Sequence, residues 1–264
     1  MSEKKALLVV SFGTSYEQTR KLTIEAIEED LKAAFPDRVF YRAWTSKMIK
    51  KKLLERDGLQ IDDVREALER MVSDGVTDVL IQPTHMLTGV EFEDTVRTIR
   101  SYADAFTMMT MGRALVANEE DLRLLGQALE KVFAEEIASG MLVFMGHGSE
   151  RNAFPVYERL QEQFAQDGHP DVCVGTVEFN PGIAPVLEKI RTRRPEKIFL
   201  TPLLVVAGDH ATNDMSGDEE DSWKNQFIRE GAAVACIVRG LGEYPEIRQL
   251  YLEHAKAAVP VVKA

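Results

Sequence analysis

Cysteine is scarce. Two residues, Cys173 and Cys236, cannot build a disulfide framework or a four-cysteine cluster site. Each sits in an apolar run, so buried free thiols are expected. Long hydrophobic runs are missing as well. No stretch approaches the ~18 apolar residues of a membrane-spanning helix. The opening run at 6–10 breaks at Gly13 with no small-residue cleavage site, so no secretory signal is expected. Positive charge is in deficit, with 32 Lys and Arg against 43 Asp and Glu, a net charge of −11. Such a surface repels phosphate backbones and argues against a nucleic-acid binder. It also opposes a polyanionic small substrate unless basic residues gather locally. Low-complexity tracts, the GxGxxG fingerprint and the Walker loop are absent, so nucleotide binding is weakly supported. These absences lead to the expectation of a cytoplasmic protein with no membrane or nucleic-acid partner.

What the sequence does contain is alternation. At 264 residues the chain suits one or two domains and buries enough surface to fold without staples. Strand-length apolar runs occur at Ala6–Ser11, Val39–Ala43, Asp78–Gln82, Thr107–Met111, Leu142–Met145, Val172–Val177, Lys197–Pro202 and Ala233–Val238. Most are continuous rather than alternating, as strands buried on both faces should be. Helical spacing appears between them, in Ile24, Ile27 and Leu31, in Ile61, Val64, Leu68 and Met71, and in Leu122, Leu125 and Leu129. Asn118 before Glu119, Glu120 and Asp121 reads as an N-cap with a favourable acidic first turn. The class is therefore α/β with mainly parallel sheet.

The two halves read as copies. Aligning Gly13 with Gly148 sets an offset of 135 and puts Phe12 opposite His147. Pro83 with Pro202, and Gly89 with Gly208, share an offset of 119 and put Glu91 opposite His210. The expected organisation is two similar doubly wound subdomains, 1–138 and 139–264, joined near Ala138–Ser139–Gly140 and facing each other across a cleft. The second carries most of the chemistry.

Ligands of open α/β sheets bind beyond the carboxyl ends of the strands. His147, in MetGlyHisGlySer, stands there. Glu178 directly follows the strand Val172–Val177, and His210 lies in the polar loop after Lys197–Pro202. Two histidines and a carboxylate suit a divalent first-row cation with an open position. Their spacings of 31 and 32 residues match one βα unit each, so the set depends on topology rather than on a local motif. In the first half, Glu91 begins a helical stretch, where the helix dipole alone favours a carboxylate; its alignment with His210 argues for a functional role. His85 either faces the ligand or packs inward. Ser11, Gly13, Thr14 and Ser15 end the first strand and offer amides and hydroxyls suited to an anion. His254 and His169 read as structural or solvated. The run Lys47, Lys50, Lys51 and Lys52 reads as a solvated helix face able to steer an anion, and Met108, Met109 and Met111 read as core.

The segments at 6–15, ValPheMetGlyHisGly at 143–148, LeuValValAlaGlyAspHisAlaThrAsnAspMet at 204–215 and GluAspSerTrpLys at 220–224 carry a family resemblance. The chain resembles the anaerobic cobaltochelatases of cobalamin biosynthesis, within the class II chelatases that also include ferrochelatases. The resemblance implies two flavodoxin-like subdomains and insertion of Co²⁺, as substrate metal, into sirohydrochlorin, a tetrapyrrole with eight carboxylates. It implies His147 as base and metal ligand, Glu178 and His210 as further ligands, and Glu91 as a catalytic acid-base group. It also implies a place for His85, which with Ser11, Gly13 and Thr14 forms the expected substrate-binding set. No organic cofactor is expected, and a homo-oligomer is left open. The chain departs from some relatives in lacking a haem-ligand extension, a histidine-rich tail and iron–sulfur cysteines. Arg20, Lys47, Arg97 and Arg151 are the candidate partners of the substrate carboxylates. Iron insertion by the same ligands, or a carrier that binds without turnover, are the competing readings.

Overall fold

The structure, a computed structural model, describes residues 4–149 and 155–263, which leaves Arg151 outside the described residues. Contacts divide the chain into two compact units. One holds the described residues up to Ala117 and those from Arg248 onward, and the other is Asn118–Ile247.

The first unit is built on β1 (Lys5–Ser11), β2 (Val39–Trp44), β3 (Asp78–Pro83) and β4 (Met108–Met111), in the order β2-β1-β3-β4 and all parallel. The second is built on β5 (Met141–Gly146), β6 (Val172–Thr176), β7 (Lys197–Pro202) and β8 (Ala233–Cys236), in the order β6-β5-β7-β8, again parallel. Both sheets therefore have the same topology, and β1, β2, β3 and β4 correspond to β5, β6, β7 and β8. The predicted strands lie where expected. Leu7, Leu8, Val9 and Val10 are all fully buried, which explains why β1 shows no alternation. Helices cover both sheet faces. Among them Val64–Ser73 opens on a capping box between Asp63 and Glu66, and Glu119–Val132 is capped by Asn118, whose Oδ1 accepts from the Asp121 amide at 2.9 Å. No helix of the described residues is long and apolar enough to cross a membrane.

The division of the chain differs from the expected one. The helix Glu119–Val132 packs on the helix Val156–Gln166. Phe133, at the end of the first of these, lies edge-on to both Phe144 and Tyr244 at 5.3 Å. Ala138–Gly140 is thus a link inside the second unit. The first unit is completed from the far end of the sequence by β9 (Val259–Pro260), which pairs antiparallel with β4. Tyr251, fully buried, donates its hydroxyl to the Thr84 carbonyl at 2.9 Å. His254 is buried on the same helix, Pro245–Lys256. Of the three methionines read as core, Met109 is buried, whereas Met108 is exposed on the short strand β4.

Two buried polar features hold the first sheet. Arg38 Nη1 and Nη2 donate to the two carboxylate oxygens of Asp78 at 3.0 and 3.1 Å, and Nη1 reaches the Ala6 carbonyl at 3.2 Å, tying β2, β1 and β3 together at one end. His85, just past β3, lies edge-on to Phe92 with ring centroids 5.8 Å apart. The residue as a whole is half-buried, but both ring nitrogens are out of solvent with no hydrogen-bond partner among the described residues. Those atoms carry the titration, and their burial pushes the imidazole pKa down to about 4.

Removing one partner of a buried pair leaves a buried charge. Asp78→Ala should therefore cost about 3–5 kcal/mol in urea unfolding, and a loss under 1 kcal/mol would show that Arg38 rehydrates freely. For His85, the folded chain keeps the ring neutral down to about pH 4, while the unfolded chain protonates near 6.5. The unfolded state thus binds more protons in that window, and stability falls as pH falls through it. The loss reaches about 2 kcal/mol at pH 5. His85→Phe should show a correspondingly shallower loss between pH 7 and pH 5; equal slopes for parent and variant would refute the assignment.

Candidate metal centre

The Val177 amide donates to the Gly146 carbonyl at 2.9 Å, and the Glu178 amide to the His147 carbonyl at 2.8 Å, so the chain stays bonded to the end of β5 as it bends just past β6. On the other side, the Leu203 amide donates to the Met145 carbonyl at 2.8 Å. These bonds fix the backbone directly beneath His147 and Glu178. Gly148 turns with φ +93°, and a Cβ there would fall 1.7 Å from the Glu178 carbonyl oxygen, so the position accepts only glycine. Its amide donates to the Tyr157 hydroxyl at 3.2 Å.

His210 arrives from the loop after β7. It opens a short helical segment that continues as a π turn over Ala211–Met215. Ala211 and Met215 are fully buried and anchor that segment. Interrupted helical geometry of this kind recurs at functional sites.

The structure brings together His147, Glu178 and His210. One ligand atom from each lies within 4.8 Å of the other two. His147 Nε2 is 3.9 Å from Glu178 Oε2, and the two imidazoles meet edge-on at 4.9 Å. Bonds of about 2.1 Å allow ligands about 4.2 Å apart at most, so small side-chain rotations would close the set on one ion. The side chains are 44%, 49% and 32% exposed, leaving room for water or an incoming ligand. His147 Nδ1 is 3.1 Å from the Gly148 carbonyl, and His210 Nδ1 is 2.7 Å from Asp214 Oδ2. Both partners can only accept, so each Nδ1 carries a proton and it is Nε2 that offers a lone pair to a metal. Two imidazoles and a carboxylate form an open set for a first-row divalent ion.

The first unit repeats the scaffold without this chemistry. The Ser46 amide donates to the Phe12 carbonyl at 3.1 Å, and the Thr84 amide to the Val10 carbonyl at 2.8 Å, in the pattern of Glu178 on His147 and Leu203 on Met145. Gly13, at φ +102°, takes the place of Gly148, and Trp44 fills the space beside it. Phe12 and Ser46 thus stand where the second unit has His147 and Glu178. Glu91, on the first turn of the helix Val90–Arg100, follows β3 as His210 follows β7, and accepts a hydrogen bond from the Thr45 hydroxyl.

The other expected binding groups turn inward. The Thr84 hydroxyl donates to buried Ser11 Oγ at 2.8 Å, and Thr14 Oγ1 accepts from the Tyr16 amide at 3.2 Å. With the His85 nitrogens also buried, these side chains brace the strand ends. Among the candidate cations, Arg20 is paired with Glu25 at 3.0 Å and Arg97 with Asp94 at 2.9 Å, whereas Lys47 has no ion-pair partner among the described residues. Two residues escaped the sequence reading. Asp214, four positions after His210, was signalled by that spacing alone. Phe179 beside Glu178 is half-exposed at φ +58°, a conformation that sequence does not announce.

Comparison with known proteins gives the family and the fold. A family model described as cobalt chelatase (CbiK) matches residues 5–260. A sirohydrochlorin cobaltochelatase of Salmonella typhimurium is 41% identical over 97% of both chains. The cobaltochelatase CbiKC of Nitratidesulfovibrio vulgaris is 30% identical over 97% of this chain and 91% of its own. The fold is shared with SirB from Bacillus subtilis, at TM-score 0.64, 14% identity, 96% of this chain and 94% of SirB. It is also shared with CbiX, an enzyme of siroheme biosynthesis in denitrifying bacteria, at TM-score 0.57, 18% identity, 97% of this chain and all of CbiX. With parallel sheets of matching topology and a three-ligand set at the strand ends of the second, the chain belongs to the CbiK family of cobalt chelatases.

Proposed function

We propose that this chain inserts Co²⁺ into sirohydrochlorin, with release of two protons, and that His147, Glu178 and His210 hold the ion before transfer. The observation that carries the reading is the convergence of those three ligand atoms within 4.8 Å at the ends of neighbouring strands. Metallation exchanges two N–H protons of the ring for one divalent ion, so the protein must supply both a loosely held ion and a base. An open set of two imidazoles and a carboxylate releases its ion more readily than a closed thiolate site. When His147 yields the ion, its Nε2 lone pair becomes free to accept a ring proton, and Glu178 lies 3.9 Å away to stabilise the imidazolium. Glu91, on the first unit, takes part in proton removal rather than in holding the ion. Ser11, Gly13, Thr14 and His85 serve the substrate indirectly, by bracing the strand ends that present Phe12 and Tyr16. Half-exposed Phe179 offers an apolar surface to the planar macrocycle beside the ligands. Two free cysteines, Cys173 and Cys236, fit a reducing cytoplasm.

Sirohydrochlorin with Co²⁺, Fe²⁺ or Ni²⁺ supplied separately, followed by absorbance, tests metal choice, which the ligand types leave open. Repeated turnover separates an enzyme from a carrier. His147→Ala should lower the rate by about 10²–10⁴-fold. His210→Ala should chiefly weaken cobalt use, with partial rescue by added Co²⁺, and Glu91→Ala should slow turnover more than it weakens cobalt binding. A His147→Ala enzyme with near-normal rate would remove the base from this scheme. Charge gives a separate check. Binding a polyanion to a chain of net charge −11 requires local cations, and their attraction is screened beyond about 8 Å at physiological salt. The KM for the tetrapyrrole should therefore rise with ionic strength; a KM constant across a wide salt range contradicts a charge-guided site.

A further inference from the structure

The two histidines of the candidate site are oriented by partners of different character. The Nδ1–H of His147 meets a neutral backbone carbonyl at 3.1 Å, whereas that of His210 meets the carboxylate of Asp214 at 2.7 Å. Hydrogen bonds to an ionised acceptor are shorter and roughly twice as strong as neutral ones. Asp214 has no other side-chain partner among the described residues. The segment that carries the pair is fixed. Ala211 and Met215 are fully buried, the Thr212 hydroxyl donates to the Gly208 carbonyl at 2.7 Å, and the Ser216 hydroxyl donates to the Ala211 carbonyl at 2.8 Å. Asn213, on the same turn, donates to Asp209 Oδ1 at 3.1 Å, which leaves the Asp214 carboxylate to His210.

We propose that Asp214 is a positioning residue that makes His210 the fixed ligand of the incoming ion and leaves His147 as the ligand that lets go. A carboxylate behind an imidazole holds the ring in one tautomer and one orientation, and strengthens its bond to a metal. A carbonyl behind an imidazole orients it without adding charge. The ion is thus anchored from one side and released from the other. The ligand released is the one whose nitrogen must become free to receive a proton. The inference rests on the proposed role of His147, Glu178 and His210.

The test uses Co²⁺ alone, without tetrapyrrole, on the whole chain. Long-range ¹H–¹⁵N spectra of the metal-free parent should show His210 protonated at Nδ1. Asp214→Ala should bind Co²⁺ about 10–100-fold more weakly. Asp214→Asn, whose amide oxygen still accepts the bond without the charge, should fall between. In a separate assay with sirohydrochlorin added, turnover at saturating cobalt should fall less than affinity does. In a His210→Ala background, Asp214→Ala should change cobalt affinity no further, because Asp214 acts through that ring. A parent His210 protonated at Nε2 overturns the proposal, and so does parent-like cobalt affinity in a folded Asp214→Ala. An equal loss in the His210→Ala background also overturns it, since Asp214 would then act on its own. Should Asp214→Ala fail to fold, the parent spectrum and Asp214→Asn decide. If His147→Ala, Glu178→Ala and His210→Ala all bind cobalt like the parent, the reading of the three-residue site fails instead.

Discussion

The candidate site depends on one close approach. The carbonyl of Glu178 occupies the space where any side chain at 148 would begin. Only because residue 148 is glycine, at positive φ, can the loop after β5 lie flush on the loop after β6. That contact lets the Val177 and Glu178 amides bond back to the Gly146 and His147 carbonyls, and those two bonds set the spacing of the side chains above them. His147 and Glu178 are thus positioned by backbone hydrogen bonds just beyond the strand ends. The loop after β7 joins by the same means, through Leu203 on Met145.

The duplicated scaffold shows what is general and what is particular in this arrangement. Both units carry a positive-φ glycine two residues past the first strand of their sheet, and in both the two residues after the neighbouring strand donate their amides back to the end of the first. In the first unit the neighbouring strand contributes Trp44, whose ring fills the space beside Gly13. The glycine turn therefore belongs to the fold, while the metal ligands belong to one copy of it. Each ligand remains partly open to water, as suits a site through which an ion passes rather than one in which it resides.

Much of this was legible in the sequence because apolar runs buried on both faces have a plain signature. The strand-end rule then turned strand positions into site positions. The alignment of Gly13 with Gly148 and of Pro83 with Pro202 reports corresponding places in two sheets of like topology. The rest was lost where tertiary contact decides. Nothing in Ala138–Gly140 assigns the helix Glu119–Val132 to the second unit; the packing of Phe133 on Phe144 and Tyr244 assigns it. A two-residue antiparallel strand ending in proline carries no periodicity at all. The hydroxyls of Ser11 and Thr14 read as ligand groups because residue type does not reveal that Thr84 and the Tyr16 amide have already engaged them. Likewise, a histidine after a strand can face either way, and at His85 contact with Phe92 settles it.

The return of the chain into its first unit has a consequence for the order of assembly. The second unit is continuous and is wholly made once Ile247 has been added. The first unit is not. Its edge strand β9, its buried Tyr251 and the bond from that hydroxyl to Thr84 all come from residues beyond Arg248. During synthesis from the amino terminus, the unit begun first is therefore the one finished last. Until then, β4 is left with one side unpaired, an edge open to association with other chains.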